Sequence, residues 1–494
     1  MKYYIPEILQ NAKEQFGEDN YIFEKCDGKY TPHTFADFYD DVTAVASSLQ
    51  QTHTPKDVIV ICGANSYEYM VADLAVMGFV CASATLSKEW NEYDLGKALE
   101  ILHPKTFLYS ETKADVVDKL RNKYLEVNFV SLAKLPRADA AELDWNRIET
   151  TAASKIIFTS GTTSMPKAVM LSQENMFACY DDLARRVPLN HGDRDYLFLP
   201  LGHTYANIWN FLISLISGME IYLCGDTKQI IAELSEVKPT LFCAVPFIFE
   251  QIYQLCQTTN KTPREILGGR IKHLITGGAY LKPEIRQLFK DDGIDILGTY
   301  GLTETSSLVC IEYPGSNDFA TDGTIIEAMS AKIDQPDEDG VGELLAKGPN
   351  VFIGYYGNPE ATKKAMTNDG YFRTGDLVQM RKYLPGETGG EICFETDDAN
   401  TEYHLYVKGR KKRVIVFSNG ENIYPADIEA MFDDVNISKV KVFEKDGAVF
   451  AQIFVREACD GRAYVDAVNV KLPKYSQIHG YETIVDSLDV RWKQ

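Results

Sequence analysis

Lys155-Ile156-Ile157-Phe158-Thr159-Ser160-Gly161-Thr162-Thr163-Ser164-Met165-Pro166-Lys167 is the stretch on which the reading of this chain turns. The β-branched and aromatic run at its start predicts a strand. The strand opens into a loop of hydroxyl side chains, one Gly and a Lys. Phosphate oxygens need donors from several directions and a cation, and hydroxyls, free backbone N–H groups and Lys167 supply both. The spacing is not that of a P-loop NTPase, which needs G-x-x-x-x-G-K-S/T. Gly161 has no second Gly before Lys167, and Ala168 follows the lysine. Taken alone, such a segment is also what a plain hydroxyl-rich turn looks like.

The chain has 494 residues, which at about 150 per domain predicts two to four domains. Its 45% hydrophobic and 24% charged residues are ordinary globular values. Asp plus Glu number 71 against 50 Lys plus Arg, a net charge of −21. A field of that sign repels phosphate backbones and anionic membranes, which argues against a nucleic-acid partner. The ten cysteines are scattered singly with no Cys-x-x-Cys, so they read as reduced thiols rather than zinc ligands or a disulfide framework. The start, Met1-Lys2-Tyr3-Tyr4-Ile5-Pro6-Glu7, has no apolar signal core. The most apolar window, Met70 to Leu86, is short of a membrane span and carries Asp73. A cytoplasmic protein with no stable membrane span, monomeric or homodimeric, is the expectation.

Short β-branched runs alternate with amphipathic segments, the pattern of parallel sheets with crossover helices. Asp57 to Gly63 predicts a buried strand ended by a turn, and Met70, Val71, Leu74 and Met77 then recur at helical spacing. Tyr196 to Leu201, Glu220 to Cys224, Thr240 to Val245 and Ile271 to Ile275 are further strand candidates. From about Glu343 the texture changes: Gly342 to Ala346 and Gly390 to Phe394 sit among Gly and acidic turns and suggest antiparallel sheet. A basic cluster, Lys408 to Arg413, precedes a last segment of strand, helix and strand patterns, and a domain boundary is placed there. The fold class is therefore α/β: a large N-terminal domain of mixed and parallel sheets with helices and a small antiparallel region, then a small α+β domain.

Thr-Ser-Gly-Thr-Thr-x-x-Pro-Lys resembles the phosphate loop of the adenylate-forming superfamily, which includes acyl-CoA synthetases, peptide-synthetase adenylation domains and beetle luciferases. Later segments match that family's motifs in the same order. Tyr300-Gly301-Leu302-Thr303-Glu304-Thr305 resembles Y-G-x-T-E, and Tyr371-Phe372-Arg373-Thr374-Gly375-Asp376 resembles F-R-T-G-D. Gly409-Arg410-Lys411-Lys412, continuing through Asn419 to Glu429, resembles the hinge and lid signature. The resemblance covers nearly the whole chain. It implies residues 1–410 as the adenylation domain, 411–494 as a short mobile lid, and Lys412 as the hinge.

The implied chemistry is physically coherent. A carboxylate is a poor electrophile, so it attacks the α-phosphate of ATP and becomes a mixed anhydride, a step that calls for Mg²⁺ and positive charge. By the resemblance, Thr159, Ser160, Gly161, Thr162, Thr163 and Lys167 hold phosphates, Glu304 ligates Mg²⁺, Thr303 meets the α-phosphate and Tyr300 stacks near adenine. Asp376 accepts from the ribose hydroxyls, with Arg410 assisting. Ser164 and Ala168 stand where the family often has Gly, which makes the loop stiffer without removing its hydroxyls or its lysine.

An α-amino acid substrate would need a carboxylate for its ammonium, and Leu199 to Asn210 contains none. Pro200-Leu201-Gly202-His203 instead resembles acyl- and aryl-CoA synthetases, where the His lines the acid pocket and gates thiol entry. Thr276-Gly277-Gly278-Ala279 resembles the second pocket wall, with Gly278 and Ala279 admitting substrate and adenine. Gly-Arg-Lys-Lys-x-x-Ile-Val with Ser418-Asn419-Gly420 is similar to the long-chain branch. A medium- or long-chain fatty acid is the first expectation and an aryl acid the alternative. The acyl acceptor is expected to be free CoA or the phosphopantetheine of a separate carrier protein. The family's terminal P-x-T-x-x-G-K motif does not follow Leu472 to Glu482, and Lys493 is the candidate replacement for its lysine. That departure leaves two other readings open: an enzyme restricted to the thiol-transfer step, and a non-catalytic acyl-adenylate-binding homologue.

Overall fold

The computed structural model describes residues 3–159, 167–316, 318–383, 390–396, 401–411, 415–416, 422–423, 425–434, 436–445, 448–472 and 476–485. The chain forms two compact units, Met1–Ser330 with Ala346–Phe372, and Ala331–Leu345 with Arg373–Gln494.

The first unit is built on two sheets. In one, the strand order is Gly354–Tyr355, Lys167–Ser172, Ala153–Thr159, Ala82–Leu86, Val58–Cys62, Thr106–Tyr109 and Asn128–Ser131. The last five run parallel and the first two are added antiparallel. All five residues of Val58–Cys62 are buried, as a central parallel strand covered on both faces requires. Val58, Val60 and Cys62 join Leu95, Leu99 and Leu102 of helix Glu92–Leu102 and Leu120 of Ala114–Arg121 in one apolar cluster. The predicted helix after this strand begins at Tyr67, capped by the Ser66 side chain, and widens into a π-helix over Val76–Val80.

The second sheet of this unit runs Gly323–Ile325, Cys310–Ile311, Ile296–Tyr300, His273–Gly277, Leu241–Ala244, Arg194–Leu197, Glu220–Leu223, Asn20–Cys26 and Lys29–Thr34. Its six strands from Ile296–Tyr300 to Asn20–Cys26 are mutually parallel. Two strands are displaced from their predicted places. The strand expected at Tyr196–Leu201 is Arg194–Leu197 and the one expected at Ile271–Ile275 is His273–Gly277. In the first case two charged residues open the strand because each has a partner, Arg194 with Glu220 and Asp195 with Asn210.

In the second unit Phe372–Tyr383, which starts on the last residue of the first, pairs antiparallel with Glu402–Arg410 and with Ile392–Cys393, as the Gly- and acid-rich texture suggests. A separate three-stranded sheet, Ile437–Lys445, Ala448–Val455 and Ile478–Val485, packs with helix Arg462–Asn469. Every second residue of Ala448–Val455 is buried, the period-two signature of a sheet with one covered face. Ile415, Ile428, Phe432, Val442, Val449, Ile453 and Val465 form its core. The ten cysteines are all free thiols and seven are buried. Among the described residues no helix is long and apolar enough to cross a membrane.

Candidate active site

The strand Ala153–Thr159 and the strand Lys167–Ser172 form a hairpin in which Thr159 faces Lys167. The predicted phosphate loop is therefore gripped at its base by backbone pairing. Ser160, Gly161, Thr162 and Thr163 lie outside the described residues. The Lys167 ammonium sits 4.4 Å from the centre of the Tyr355 ring. Tyr355 is carried by the short strand Gly354–Tyr355, which pairs with the Lys167 strand in the register Tyr355–Val169. Its hydroxyl donates to Glu304 Oε1 at 2.9 Å. Burial and the adjacent Glu304 carboxylate raise the phenol's pKa, so it stays protonated.

Glu304 is buried in a single 3-10 turn, Thr303–Thr305, that follows strand Ile296–Tyr300. Gly301 is required there by packing: a Cβ would lie 2.3 Å from the Ser307 carbonyl. Ser306 and Ser307 take left-handed φ of 50° and 67°, conformations that cost energy unless neighbours hold them. Asn350 does so, its side-chain amide nitrogen donating to the Thr305 and Leu308 carbonyls at 3.0 and 2.7 Å while its backbone carbonyl accepts from Ser306 Oγ at 3.0 Å. Phe352 N–H donates to the Glu304 carbonyl at 2.8 Å. Thr303 and Tyr300 are half-buried at the strand end.

His203 lies in a turn held by Asn65, whose side chain donates to the Leu199 carbonyl at 2.8 Å and accepts from Leu201 N–H at 2.9 Å. The imidazole reaches solvent, yet the surrounding protein lowers its pKa and favours the neutral ring. Tyr205–Leu212 then forms a π-helix, a wide-turn geometry frequent at functional sites. It is fixed on two sides: Asn207 donates to Asp73 at 2.7 Å, and Asn210 to both oxygens of Asp195 at 2.9 and 3.0 Å. Burial pushes the Asp195 carboxyl up to about 8. On the other candidate wall Gly277 packs against Thr299, whose Oγ1 would lie 2.6 Å from a Cβ there. Gly278 adopts φ +81° where the strand His273–Gly277 ends, and Gly278 and Ala279 are exposed.

In the second unit Asp376 is buried and its Oδ1 lies 2.8 Å from Arg410 Nε. The two face each other in the antiparallel pair. Thr374 Oγ1 accepts from Asp376 N–H at 3.1 Å and donates to the Leu344 carbonyl at 2.8 Å, which fixes the turn. Glu343 gathers Arg373 and Lys411 at 3.3 and 2.9 Å. Lys412 and Lys493 lie outside the described residues.

The structure places Thr159 opposite Lys167 in the hairpin and brings Lys167 and Glu304 to the same residue, Tyr355, which the sequence reading had missed. Asn207, Asn210 and the Asp73–Lys155 pair were missed as well. A lysine at position 155, at the head of the apolar run Ile156-Ile157-Phe158, was the available signal. Among the described residues no group of three or more His, Cys, Asp or Glu side chains gathers as a metal cage. A Mg²⁺ carried on nucleotide phosphates needs only one or two protein carboxylates, and Glu304, oriented by the Tyr355 hydroxyl, fits that requirement.

Residues 9–356 match the family described as AMP-binding enzyme. The chain is 24% identical to the long-chain-fatty-acid–CoA ligase ACSBG2 of Rattus norvegicus, covering 99% of this chain and 83% of that protein. It is 26% identical to the long-chain-fatty-acid–CoA ligase FadD15 of Mycobacterium bovis, over 84% of this chain and 76% of that one. Its fold matches that of o-succinylbenzoate coenzyme A synthetase (MenE) from Bacillus subtilis, solved with ATP and magnesium, at a TM-score of 0.78 and 21% identity, covering 97% of this chain and 95% of the other. A family match over most of the chain places this protein among the AMP-binding, adenylate-forming enzymes.

Proposed function

We propose that the protein is an AMP-forming acid–thiol ligase that activates a medium- or long-chain fatty acid and transfers the acyl group to CoA. The observation that carries this reading is the line from Lys167 across the Tyr355 ring to Glu304. It sets a cation and a carboxylate beside one phosphate-loop hairpin. In the first step a carboxylate oxygen of the acid attacks the α-phosphorus, the bond to the bridging oxygen of pyrophosphate breaks, and an acyl adenylate forms. Lys167 and Thr303 offset the charge that develops on the phosphoryl oxygens. Magnesium bound through Glu304 supplies further positive charge to the same phosphates. Asp376 and Arg410 engage the ribose, and Tyr300, Gly278 and Ala279 receive the adenine. In the second step a thiolate attacks the acyl carbon and AMP leaves, with His203 at the entry. Residues 411–494 act as the lid, a reading supported by the separate core around Val449 and Ile453.

Asp195 supports an acid without an α-ammonium. It is one of two carboxyls bonded to the helix that follows His203: burial keeps it neutral near pH 7, and the other, Asp73, is engaged by the Lys155 ammonium at 2.6 Å, so neither offers a counter-charge. The test is acid-dependent ATP–pyrophosphate exchange with Mg²⁺ across fatty, aryl and amino acids, followed by CoA consumption. Exchange with C8–C18 acids and release of AMP on adding CoA is the expected result. Exchange confined to aryl or amino acids, or none with any acid, would overturn the assignment.

A further inference from the structure

We infer that Tyr355 is a positioning residue that keeps Lys167 and Glu304 apart and aims each at its own partner. The inference rests on the ligase reading above and extends it to a residue with no assigned part. A lysine and a glutamate placed near one another in a partly buried site are drawn into an ion pair. Here they do not meet: among the described residues Lys167 has no carboxylate within 4 Å, and the partner of Glu304 is the Tyr355 hydroxyl. The ring contacts both, the ammonium on its face and the carboxylate at its hydroxyl. Its π face holds the ammonium at 4.4 Å by an attraction that leaves the positive charge uncancelled. Its edge gives Glu304 a neutral donor, which orients the carboxylate without consuming its negative charge.

The ring itself is immobilised. Tyr355 is buried, its N–H donates to Thr362 Oγ1 at 2.9 Å, and Phe352 packs edge-on with centroids 4.8 Å apart. Backbone bonds from Phe352 N–H to the Glu304 carbonyl and from Tyr356 N–H to the Ala168 carbonyl, 2.8 Å each, tie both flanks of Tyr355 to the two segments it separates. One residue thereby sets the distance between the phosphate-binding cation and the metal-binding carboxylate.

Tyr355→Phe keeps the ring and removes the donor; Tyr355→Leu removes both. In Tyr355→Phe the Mg²⁺ concentration for half-maximal exchange should rise roughly tenfold, the size of one hydrogen bond to a charged group, while KM for the acid stays unchanged. Calorimetric affinity for ATP measured with saturating Mg²⁺ should fall by a similar factor and that for metal-free ATP should hold. Tyr355→Leu should also weaken metal-free ATP binding, because Lys167 is released to pair with Glu304. Glu304→Gln placed on Tyr355→Leu should then restore metal-free ATP affinity. Wild-type Mg²⁺ dependence and ATP affinity in Tyr355→Phe would overturn the inference; if Tyr355→Leu does not fold, this isosteric variant decides alone. A wild-type protein without exchange would instead overturn the ligase reading.

Discussion

Lys155 and Asp73 form an ion pair with both side chains wholly buried, the ammonium 2.6 Å from one carboxylate oxygen and 2.7 Å from the other. Lys155 lies on the strand that enters the phosphate loop, and Asp73 on the helix Tyr67–Ala75. Asp73 also accepts from Ser83 Oγ and from Asn207 of the π-helix beyond His203. One carboxylate thus anchors both the strand leading to the candidate phosphate loop and the helix following the candidate acid pocket.

Removing one partner strands a charge in the core, which costs about 3–5 kcal/mol, whereas removing both is often close to neutral. Lys155→Met should therefore lower the urea midpoint severely, and Lys155→Met with Asp73→Leu should recover much of the loss. A single variant as stable as the double one would show that the pair does not carry this energy.

Asp195 gives stability a definite pH dependence. Its carboxyl is raised from 3.8 to about 8 in the fold by burial, against which the Asn210 and Tyr196 hydrogen bonds act only in part. Between about pH 4 and pH 8 the folded state holds a proton that the unfolded chain has lost. Stability from this group is therefore greatest below pH 4, declines as pH rises to 8, and is level above it, with a slope of at most about 1.4 kcal/mol per pH unit. Denaturant unfolding from pH 5 to pH 9 should show this decline in the wild type and a flatter profile in Asp195→Asn. Parallel profiles would remove Asp195 as its source.

Where burial and periodicity agree, the chain was legible. Val58–Cys62 is apolar because both its faces are covered, and Ala448–Val455 alternates because one is. Lys155 and Asp73 are polar residues beside apolar runs and Asp195 stands at the start of its strand; all three are buried and made tolerable by partners distant in sequence, of which periodicity carries no trace. Asp73 spoke in the sequence only against a membrane span. Glu304, Lys167 and Asp376 stood out through ordered motifs, while Tyr355 sits in Gly354-Tyr355-Tyr356, where an aromatic reads as core. Its role depends on a strand pairing with residues 167–172 that no local pattern encodes.

Lys167→Ala and Glu304→Ala should each reduce exchange at least 100-fold, the usual loss on deleting one preorganised electrostatic contact. Lys167 is exposed, so its variant should unfold at the wild-type temperature and separate chemistry from folding. Wild-type rates in either variant would remove both residues from the site.

Asp376 and Arg410 supply the test of nucleotide orientation. The carboxylate is buried beside the guanidinium at 2.8 Å, on a turn fixed through Thr374. An ionised carboxylate accepts from neighbouring hydroxyls, and each such bond to a charged group is worth about 1.5–3 kcal/mol, or roughly 10- to 150-fold. With 2′,3′-dideoxy-ATP in place of ATP, the wild-type kcat/KM should fall by at least the lower figure. Asp376→Asn should lose most of its activity with ATP and very little more with the dideoxy analogue, so that discrimination between the two collapses. Asp376→Ala should do the same while leaving Arg410 unpaired. Discrimination that persists undiminished in both variants would place ribose recognition on other residues and leave the Asp376–Arg410 pair a structural one.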